Sequence, residues 1–185
     1  MMRKLKKIIP LVLGGLLAAA GTCLAHIPLE EFAIGGITLY SKPDQIKAIY
    51  GTPTQETKQQ ITIYKYTLPG LYMIYGNSFK MVMTDPYRNG DYFMYTIETT
   101  ANNGLGTPAG LMVGDSFEKA LALYGMPNAT WSGKKDYRYH VTQQDLNEVR
   151  KGNKWAIYNS GHASSLIIKV KKGKIISLKL INTAE

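Results

Sequence analysis

The spacing of apolar residues changes from helical to strand-like in two separate stretches of the chain. In the second stretch, the apolar positions i, i+3, i+4 and i+7 are occupied by Phe117, Ala120, Leu121 and Tyr124. This spacing predicts a helix with one buried stripe, followed by strands. A segment of similar composition that ends at Tyr50 predicts a helix in the first stretch.

Both predicted helices carry residues that favour a start and a stop. A capping side chain and an acid stand at N-cap and N3 spacing at each start: Ser41 with Asp44, and Asp115 with Glu118. The helices run into "YGTP" (50–53) and "YGMP" (124–127). Glycine suits the left-handed position just past a helix, and the proline two residues later cannot continue it. The two tetrapeptides therefore predict helix ends and not a catalytic motif.

Alternating, β-branched and aromatic runs after each helix predict antiparallel strands. The predicted strands cover 61–67, 78–84, 92–99, 136–141, 165–170 and 174–181, with short additional strands near 71–75 and 155–158. The segments "RNGD" (88–91) and "KKGK" (171–174) are hairpin signals between neighbouring strands. The insertion "TQQDLNEVRKGN" (142–153) predicts a short helix that starts at Thr142 and stops at Gly152.

The two halves of the chain align with each other when Gly36 is placed over Gly110. The helix, its Tyr-Gly-x-Pro end and the strands that follow then agree in character over most of the chain. We therefore expect an α+β fold of two tandem helix-plus-antiparallel-sheet repeats, with the helices on one face of the sheet. The predicted boundaries are a signal peptide at 1–25, a first repeat at 26–105 and a second repeat at 106–185, with a Gly-rich connector at 100–110.

The N-terminus has the residue order of a secretory signal. Basic residues between positions 3 and 7 precede an apolar run from Ile8 to Gly21 and a small-residue end at Ala25. This order predicts cleavage after Ala25 and an exported protein, periplasmic or extracellular. Two alternatives stay open. The apolar run approaches the length of a retained membrane anchor, and Cys23 is a candidate for lipidation.

Removal of this leader would leave a chain without cysteine and with a one-sided charge. Cys23 is the only cysteine, so the remaining chain would have neither disulfides nor thiol chemistry. Residues 26–105 carry 6 basic and 7 acidic groups, whereas residues 106–185 carry 12 and 6. This asymmetry favours an anionic partner or serves solubility. We expect an envelope or secreted protein or an anionic envelope polymer as partner, no nucleic acid, and membrane contact without a spanning segment after cleavage.

Residues with catalytic or metal-binding chemistry form no recognisable motif. The sequence has no HExxH, GxSxG or P-loop motif and no Cys/His cluster. His140 and His162 lack a third ligand at a recognisable spacing. Asp85, Asp91 and Glu98 flank a hairpin, where acids are usually solvated. The sequence therefore predicts a protein that is not an enzyme and has no metal and no cofactor.

Alternation assigns the residues of the predicted strands to two sheet faces. On the face that we expect the helices to cover fall Tyr137, Tyr139 and Val141. The uncovered face collects a mainly cationic strip of Arg138, His140, Lys169, Lys171, Lys179, Lys65 and Lys80, with Thr96 and Glu98. This strip either binds a partner or only keeps an open face solvated. Near turns of the basic second half lie Trp131, Trp155 and Tyr158. Large aromatic side chains in such positions either fill a core or bind a partner.

A capped helix that ends in "YG-x-P", followed by antiparallel strands and repeated in an exported chain, resembles the β-lactamase inhibitor protein (BLIP) fold and the BamE/SmpA-type envelope lipoproteins. The chain is also similar to small exported bacterial proteins with "GGI" before the first helix and a "TANNG-x-x-TPAG" joint, here Thr100 to Gly110. The resemblance implies a curved antiparallel sheet with helices on one face and a protein-binding surface on the other. The chain departs from both groups, because it lacks the disulfides of inhibitor repeats and a convincing lipobox.

These observations predict an exported, non-catalytic binding module of the cell envelope that presents the cationic strip to a protein or an anionic polymer. Two other functions stay open. The resemblance suggests an inhibitor of a secreted hydrolase. An enzyme that modifies envelope polymer would have to use Asp91, Glu98 or His140.

Overall fold

The computed structural model describes residues 27–63, 65–76, 78–85, 92–133, 137–160 and 164–182. Its α-helices in these ranges are α1 (Pro43–Tyr50), α2 (Phe117–Tyr124) and α3 (Gln143–Lys151), and a short 3-10 helix covers Leu29–Glu31. The strands of the first half are β1 (Ala33–Ile34), β2 (Ile37–Thr38), β3 (Gln55–Ile63), β4 (Tyr66–Tyr75), β5 (Phe79–Thr84) and β6 (Phe93–Thr99). Those of the second half are β7 (Ala129–Trp131), β8 (Tyr137–Arg138), β9 (Trp155–Asn159), β10 (Ser164–Lys171) and β11 (Lys174–Asn182).

Nine of these strands form one continuous antiparallel sheet in the order β3-β4-β5-β6-β11-β10-β9-β7-β8. At its centre β6 pairs with β11, and Ile97 lies opposite Leu180. The prediction of two tandem helix-plus-sheet repeats is therefore wrong. Two separate sheets would each have left a strand edge with unpaired N–H and C=O groups, and pairing β6 with β11 satisfies both edges. β1 and β2 form a small ladder of their own.

One face of the large sheet carries the helices and the main core, and we call it the helix face. The helices contribute Ile46, Phe117, Ala120, Tyr124, Leu146 and Val149 to this core. The strands contribute Leu71, Met73, Met81, Ile97, Ile168, Leu178 and Leu180, among others. The predicted apolar stripe of α2 is confirmed, since Phe117, Ala120 and Tyr124 are buried. Burial of this face supplies the main driving force that holds helices and sheet together.

The start of α1 differs by one residue from the predicted cap. The helix begins at Pro43, whose fixed φ suits the first helical position. The N–H of Lys42 donates to Gln45 Oε1 at 2.8 Å. Ser41, the predicted N-cap, instead accepts a hydrogen bond from the Thr38 N–H at 3.1 Å and so stabilises the turn before the helix.

The start of α2 is shifted in the same way. Ser116 is the N-cap, and its Oγ accepts from the Lys119 N–H at 3.2 Å. Asp115, the predicted cap, accepts from the Met112 N–H and from Lys119 Nζ, each at 2.8 Å. Two neighbouring residues can both cap a helix, and the sequence pattern does not choose between them.

The predicted helix ends are confirmed. Gly51 and Gly125, which follow α1 and α2, have φ of 75° and 71°, in the region that only glycine enters at little cost. α3 begins after Thr142, whose Oγ1 accepts from the Asp145 N–H at 3.2 Å, and it ends at Gly152 in the left-handed region.

Most of the predicted strands are present, but two differ in length. Residues 61–67 are not one strand, since β3 and β4 form a hairpin with Lys65 in its turn at φ 79°. The predicted strand 136–141 shrinks to the two residues of β8, and Tyr137 and Tyr139 are 40% and 67% exposed. Their assignment to the core face is therefore wrong, because alternation has meaning only while the backbone stays paired in a ladder.

The hairpin between β10 and β11 agrees with its sequence signal. Lys172 and Gly173 both have positive φ, of 50° and 74°, as the two central residues of a type I′ turn require. The other predicted hairpin turn, 88–91, lies outside the described residues, although the strands on either side of it, β5 and β6, pair as expected.

In the part of the chain that the structure describes, no helix is both long and apolar enough to cross a bilayer. The predicted signal peptide at 1–25 lies outside that part.

Candidate functional site

The face of the sheet opposite the helix face carries a row of residues that the strand register aligns. In order from β4 to β7 the row contains Ile74, Lys80, Glu98, Lys179, Ile167, Ile157 and Ala129. Directly opposed residues of antiparallel strands point to the same side of a sheet. We call this row, together with Lys169, Ser177, Trp131 and Trp155 beside it, the open face.

Glu98 lies between two lysines of the row. Its Oε2 is 4.0 Å from Lys179 Nζ, and its Oε1 accepts a hydrogen bond from Ser177 Oγ at 3.0 Å. Lys80, opposite Glu98 on the other side, places its Nζ 4.8 Å from the centroid of the Tyr72 ring. A partly exposed ion pair at this separation contributes little stability. Two cations around one carboxylate leave the row with a net positive charge.

Two tryptophans extend the open face toward its second edge. The rings of Trp131 and Trp155 meet edge to face, with centroids 4.7 Å apart and an interplanar angle of 88°. Beneath them Ala129, Ile157 and Ile167 form a second, smaller apolar cluster. Trp131, Trp155 and Ile181 pack against this cluster, so apolar side chains are buried on the face away from the helices as well.

Lys169 joins the charged and the aromatic parts of the open face. Its Nζ stands 4.3 Å from the centroid of the Trp155 ring, within the range of a cation–π interaction. The register places Lys169 between Trp155 and Ser177. Its ammonium group is therefore held over an apolar surface, two strands away from Glu98.

The structure brings only some of the predicted site residues together. Lys80, Lys169 and Lys179 share the open face, and Lys171 continues the same alternation at the hairpin end, opposite Lys174. Lys65 lies at the distant β3–β4 turn and belongs to no cluster on the open face.

Arg138 and His140 do not lie where the alternation places them. Arg138 is opposite Thr130, which is itself opposite Ala156 of the main core, so Arg138 is on the side of the helix face. His140 follows β8 and is exposed. The placement differs because β8 extends for only two residues, so its sequence offers too few positions to fix a face.

The sequence pattern did not place the aromatic side chains together on the open face. Tyr137 lies opposite Trp131, and its ring centroid is 4.8 Å from that of Tyr139. Burial raises the pKa of Tyr137, and the neighbouring Tyr139 adds to this shift. One signal was present in the sequence: Ile167 is an apolar residue on the face that otherwise carries Lys169 and Lys171.

The candidate catalytic and metal-binding groups that the structure describes do not form a site. Among the described residues, no group of three His, Cys, Asp or Glu side chains could hold a metal ion. His162 and Asp91 lie outside the described residues. A small, mainly apolar pocket is lined by Leu29, Glu30, Phe32, Thr38, Leu39 and Tyr40, and none of the predicted site residues lines it.

No protein-family model, curated protein or solved structure matches the chain. The resemblance to BLIP and BamE/SmpA-type proteins therefore stays a prediction.

Proposed function

We propose that the protein is an exported, non-catalytic binding module of the cell envelope whose open face binds an envelope protein or an anionic polymer. The observation that carries the proposal is Lys169 Nζ held 4.3 Å from the Trp155 ring centroid, beside the Trp131–Trp155 pair. Tryptophan is enriched in binding surfaces, and a lysine beside it offers a positive charge to an acidic group of a partner.

The chemistry of this surface suits a partner with both apolar and acidic groups. The indoles offer large apolar contact area at a low cost in conformational entropy, because each has only two side-chain torsions. Two lysines next to Ile167 add positive charge: Lys169 is two residues further along β10, and Lys179 lies opposite Ile167 in β11. A carboxylate or phosphate bound there would gain from Lys169, whose ammonium group is already positioned over the Trp155 ring.

Export supports the choice of partner. The basic residues, the apolar run and the small-residue end before His26 have the order of a secretory signal. An exported protein meets acidic polymers and protein surfaces of the envelope more often than nucleic acid. The excess of basic groups in residues 106–185 falls in the half that supplies Trp131, Trp155 and Lys169.

The experiment measures retention of the purified protein on isolated envelope material as the salt concentration rises. Reversing Lys169 and Lys179 to Glu should weaken retention at least about tenfold, since each reversal replaces an attraction by a repulsion of about 1 kcal/mol or more near a surface. Lys65→Glu is the matched control, because it changes the same charge far from the open face and should leave retention unchanged. Retention that is insensitive to salt and equal for the natural chain, the variant with both Lys169 and Lys179 reversed, and Lys65→Glu would refute the proposal.

A further inference from the structure

Strand β3 forms one outer edge of the nine-stranded sheet. Among the described strands it pairs with β4 alone, and from Gln55 to Gln60 every residue except the half-buried Thr57 is exposed. The strand is nine residues long and contains no proline or glycine. The opposite edge, β8, has only two residues. A long, regular edge is a template for another strand unless something blocks it.

The hydrogen-bonding direction of each β3 residue follows from Pro69 in β4. The carbonyl oxygen of Pro69 accepts from the Asp85 N–H at 3.0 Å, on the β5 side. The N–H and C=O groups of one strand residue point to the same side, and those of the next residue point to the opposite side. The backbone groups of Gly70 therefore point to β3, where Gly70 pairs with Gln59. Every second residue of β3 therefore turns its N–H and C=O away from β4: Glu56, Lys58 and Gln60.

We infer that β3 pairs with β3 of a second copy of this chain, antiparallel and about a two-fold axis through Thr57. In this register Glu56 lies opposite Lys58 of the second copy, and Lys58 opposite its Glu56. The central two pairs alone exchange about four backbone hydrogen bonds. The contact is isologous, so it closes at two copies and does not propagate.

Charge selects this register over its neighbours. Outward-facing residues must oppose one another, so the alternatives shift the axis by one residue at a time. An axis through Lys58 opposes two lysines, and an axis through Glu56 opposes two glutamates, both of which are unfavourable. An axis through Gln59 forms no charge pair. A lone edge lysine normally discourages pairing, but here Glu56 supplies its complement on the same strand.

The existing contacts of Glu56 fit this arrangement. Lys47 of α1 places its Nζ 2.9 Å from Glu56 Oε2 on the helix face. Lys58 of the second copy would approach the same carboxylate from the edge, which creates a small network of charges instead of an isolated pair. A two-fold axis perpendicular to the sheet also keeps the open faces of both copies on one side. This pairing does not depend on what the open face binds.

Sedimentation equilibrium of the purified full-length chain tests the inference. The expected result for the natural sequence is a monomer–dimer equilibrium. Lys58→Glu and Glu56→Lys should each weaken dimerisation at least about tenfold by opposing like charges. The double variant with both changes restores opposite charges across the axis and should dimerise better than either single variant, although it loses the attraction between Lys47 and Glu56. A natural chain that stays monomeric at about 100 μM, well above the Kd of a specific homodimer, would overturn the inference, as would a double variant no better than the single ones.

Proline at single positions separates edge pairing from folding. Lys58→Pro removes an N–H that points away from β4 and should abolish the dimer while the monomer unfolds at an unchanged denaturant concentration. Thr57→Pro removes an N–H that bonds to β4 and should destabilise the monomer itself. Dimerisation that survives Lys58→Pro in a folded chain excludes β3 as the interface.

Discussion

The hydroxyl of Tyr158 donates a hydrogen bond to the carbonyl oxygen of Gly125 at 3.2 Å, and so ties strand β9 to the end of helix α2. Tyr75 makes the same contact with the carbonyl oxygen of Gly51 at 3.0 Å, at the end of α1. In each case a glycine with positive φ follows the helix, and its carbonyl oxygen accepts the hydrogen bond of the strand tyrosine. The two Tyr-Gly-x-Pro segments are thus attachment points between helices and sheet.

Removal of the Tyr158 hydroxyl should lower the stability of the protein. Burial raises the pKa of this phenol, so it stays protonated and donates at any physiological pH. Tyr158→Phe leaves the Gly125 carbonyl without this donor and should reduce the free energy of unfolding by about 1 kcal/mol in urea denaturation. Tyr139→Phe, at a 67% exposed tyrosine, serves as the control and should change it little. Equal stability of the two variants would contradict the role of the contact.

Alanine at two glycines should have very different effects. Gly152, after α3, has φ 96°, and a Cβ there would lie 2.8 Å from the Val170 carbonyl oxygen. Gly173, in the β10–β11 turn, has φ 74° and no atom within 4 Å of the added Cβ. Gly173→Ala should cost about 1 kcal/mol for the backbone conformation alone, and Gly152→Ala about 3 kcal/mol because the clash with the backbone adds to it. Thermal unfolding of both variants measures the difference, and a smaller loss for Gly152→Ala would contradict it.

The ion pair of Asp145 with Lys154 should make the protein sensitive to acid. Lys154 Nζ lies 2.7 Å from Asp145 Oδ1, and the two side chains are 11% and 4% exposed. Burial opposes ionisation of Asp145, but the hydrogen bonds from Lys154 and Thr142 outweigh it and hold the pKa of the carboxyl well below its usual range. A carboxyl with a lowered pKa in the folded state contributes its stability above the unfolded pKa, about 4. That contribution is lost as the pH falls from about 4 toward the folded pKa.

Urea denaturation between pH 7 and pH 2 measures this contribution. Asp145→Asn and Lys154→Met should each cost about 3 kcal/mol at neutral pH, since each breaks a charge pair that is largely shielded from solvent. The double variant should cost less than the sum of the two and lose less stability on acidification than the natural sequence. Additive losses with an unchanged pH profile would show that the pair is not coupled.

Thr130 offers a stabilising substitution. Its Oγ1 is buried and has no hydrogen-bond partner among the described residues, and the residue lies between Arg138 and Ala156 in the ladder. Thr130→Val replaces the hydroxyl by a methyl group of similar size and should raise the free energy of unfolding by about 1 kcal/mol. A loss of stability in urea denaturation would indicate that the hydroxyl does have a partner.

Local elements could be predicted where the chemistry of single residues decides them. Thr142 and Gly152 mark α3 correctly because each satisfies backbone groups at its own end of the helix. The pairing of β6 with β11 could not be read in this way. It places Ile97 opposite Leu180. The sequence of an apolar strand does not indicate which distant strand it pairs with. The error in fold class follows from this one missing pair.

The candidate site was predicted in part for the same reason. Lys169 and Lys179 were placed on the correct side because β10 and β11 keep a regular alternation over the six residue pairs from Ser164↔Asn182 to Lys169↔Ser177. Trp131 and Trp155 come together through the pairing of β7 with β9. Helix α3 lies between them in the sequence, so nothing in the sequence indicates that the two side chains are neighbours. Arg138 was placed on the wrong face because β8 has only two residues, too few for alternation to predict a face.

The position of β11 has a consequence for how the chain acquires its structure. This strand comes last in the described sequence, yet it lies in the middle of the sheet between β6 and β10. A chain that is synthesised or translocated from its N-terminus can form the β3–β6 segment early, but β6 keeps an exposed edge until Lys174–Asn182 has emerged. The pairing of β6 with β11 joins residues that are far apart in sequence, such as Ile97 and Leu180, and pairing of distant residues slows folding. Completion of the sheet, and with it the row of charges on the open face, therefore has to wait for the chain up to Asn182.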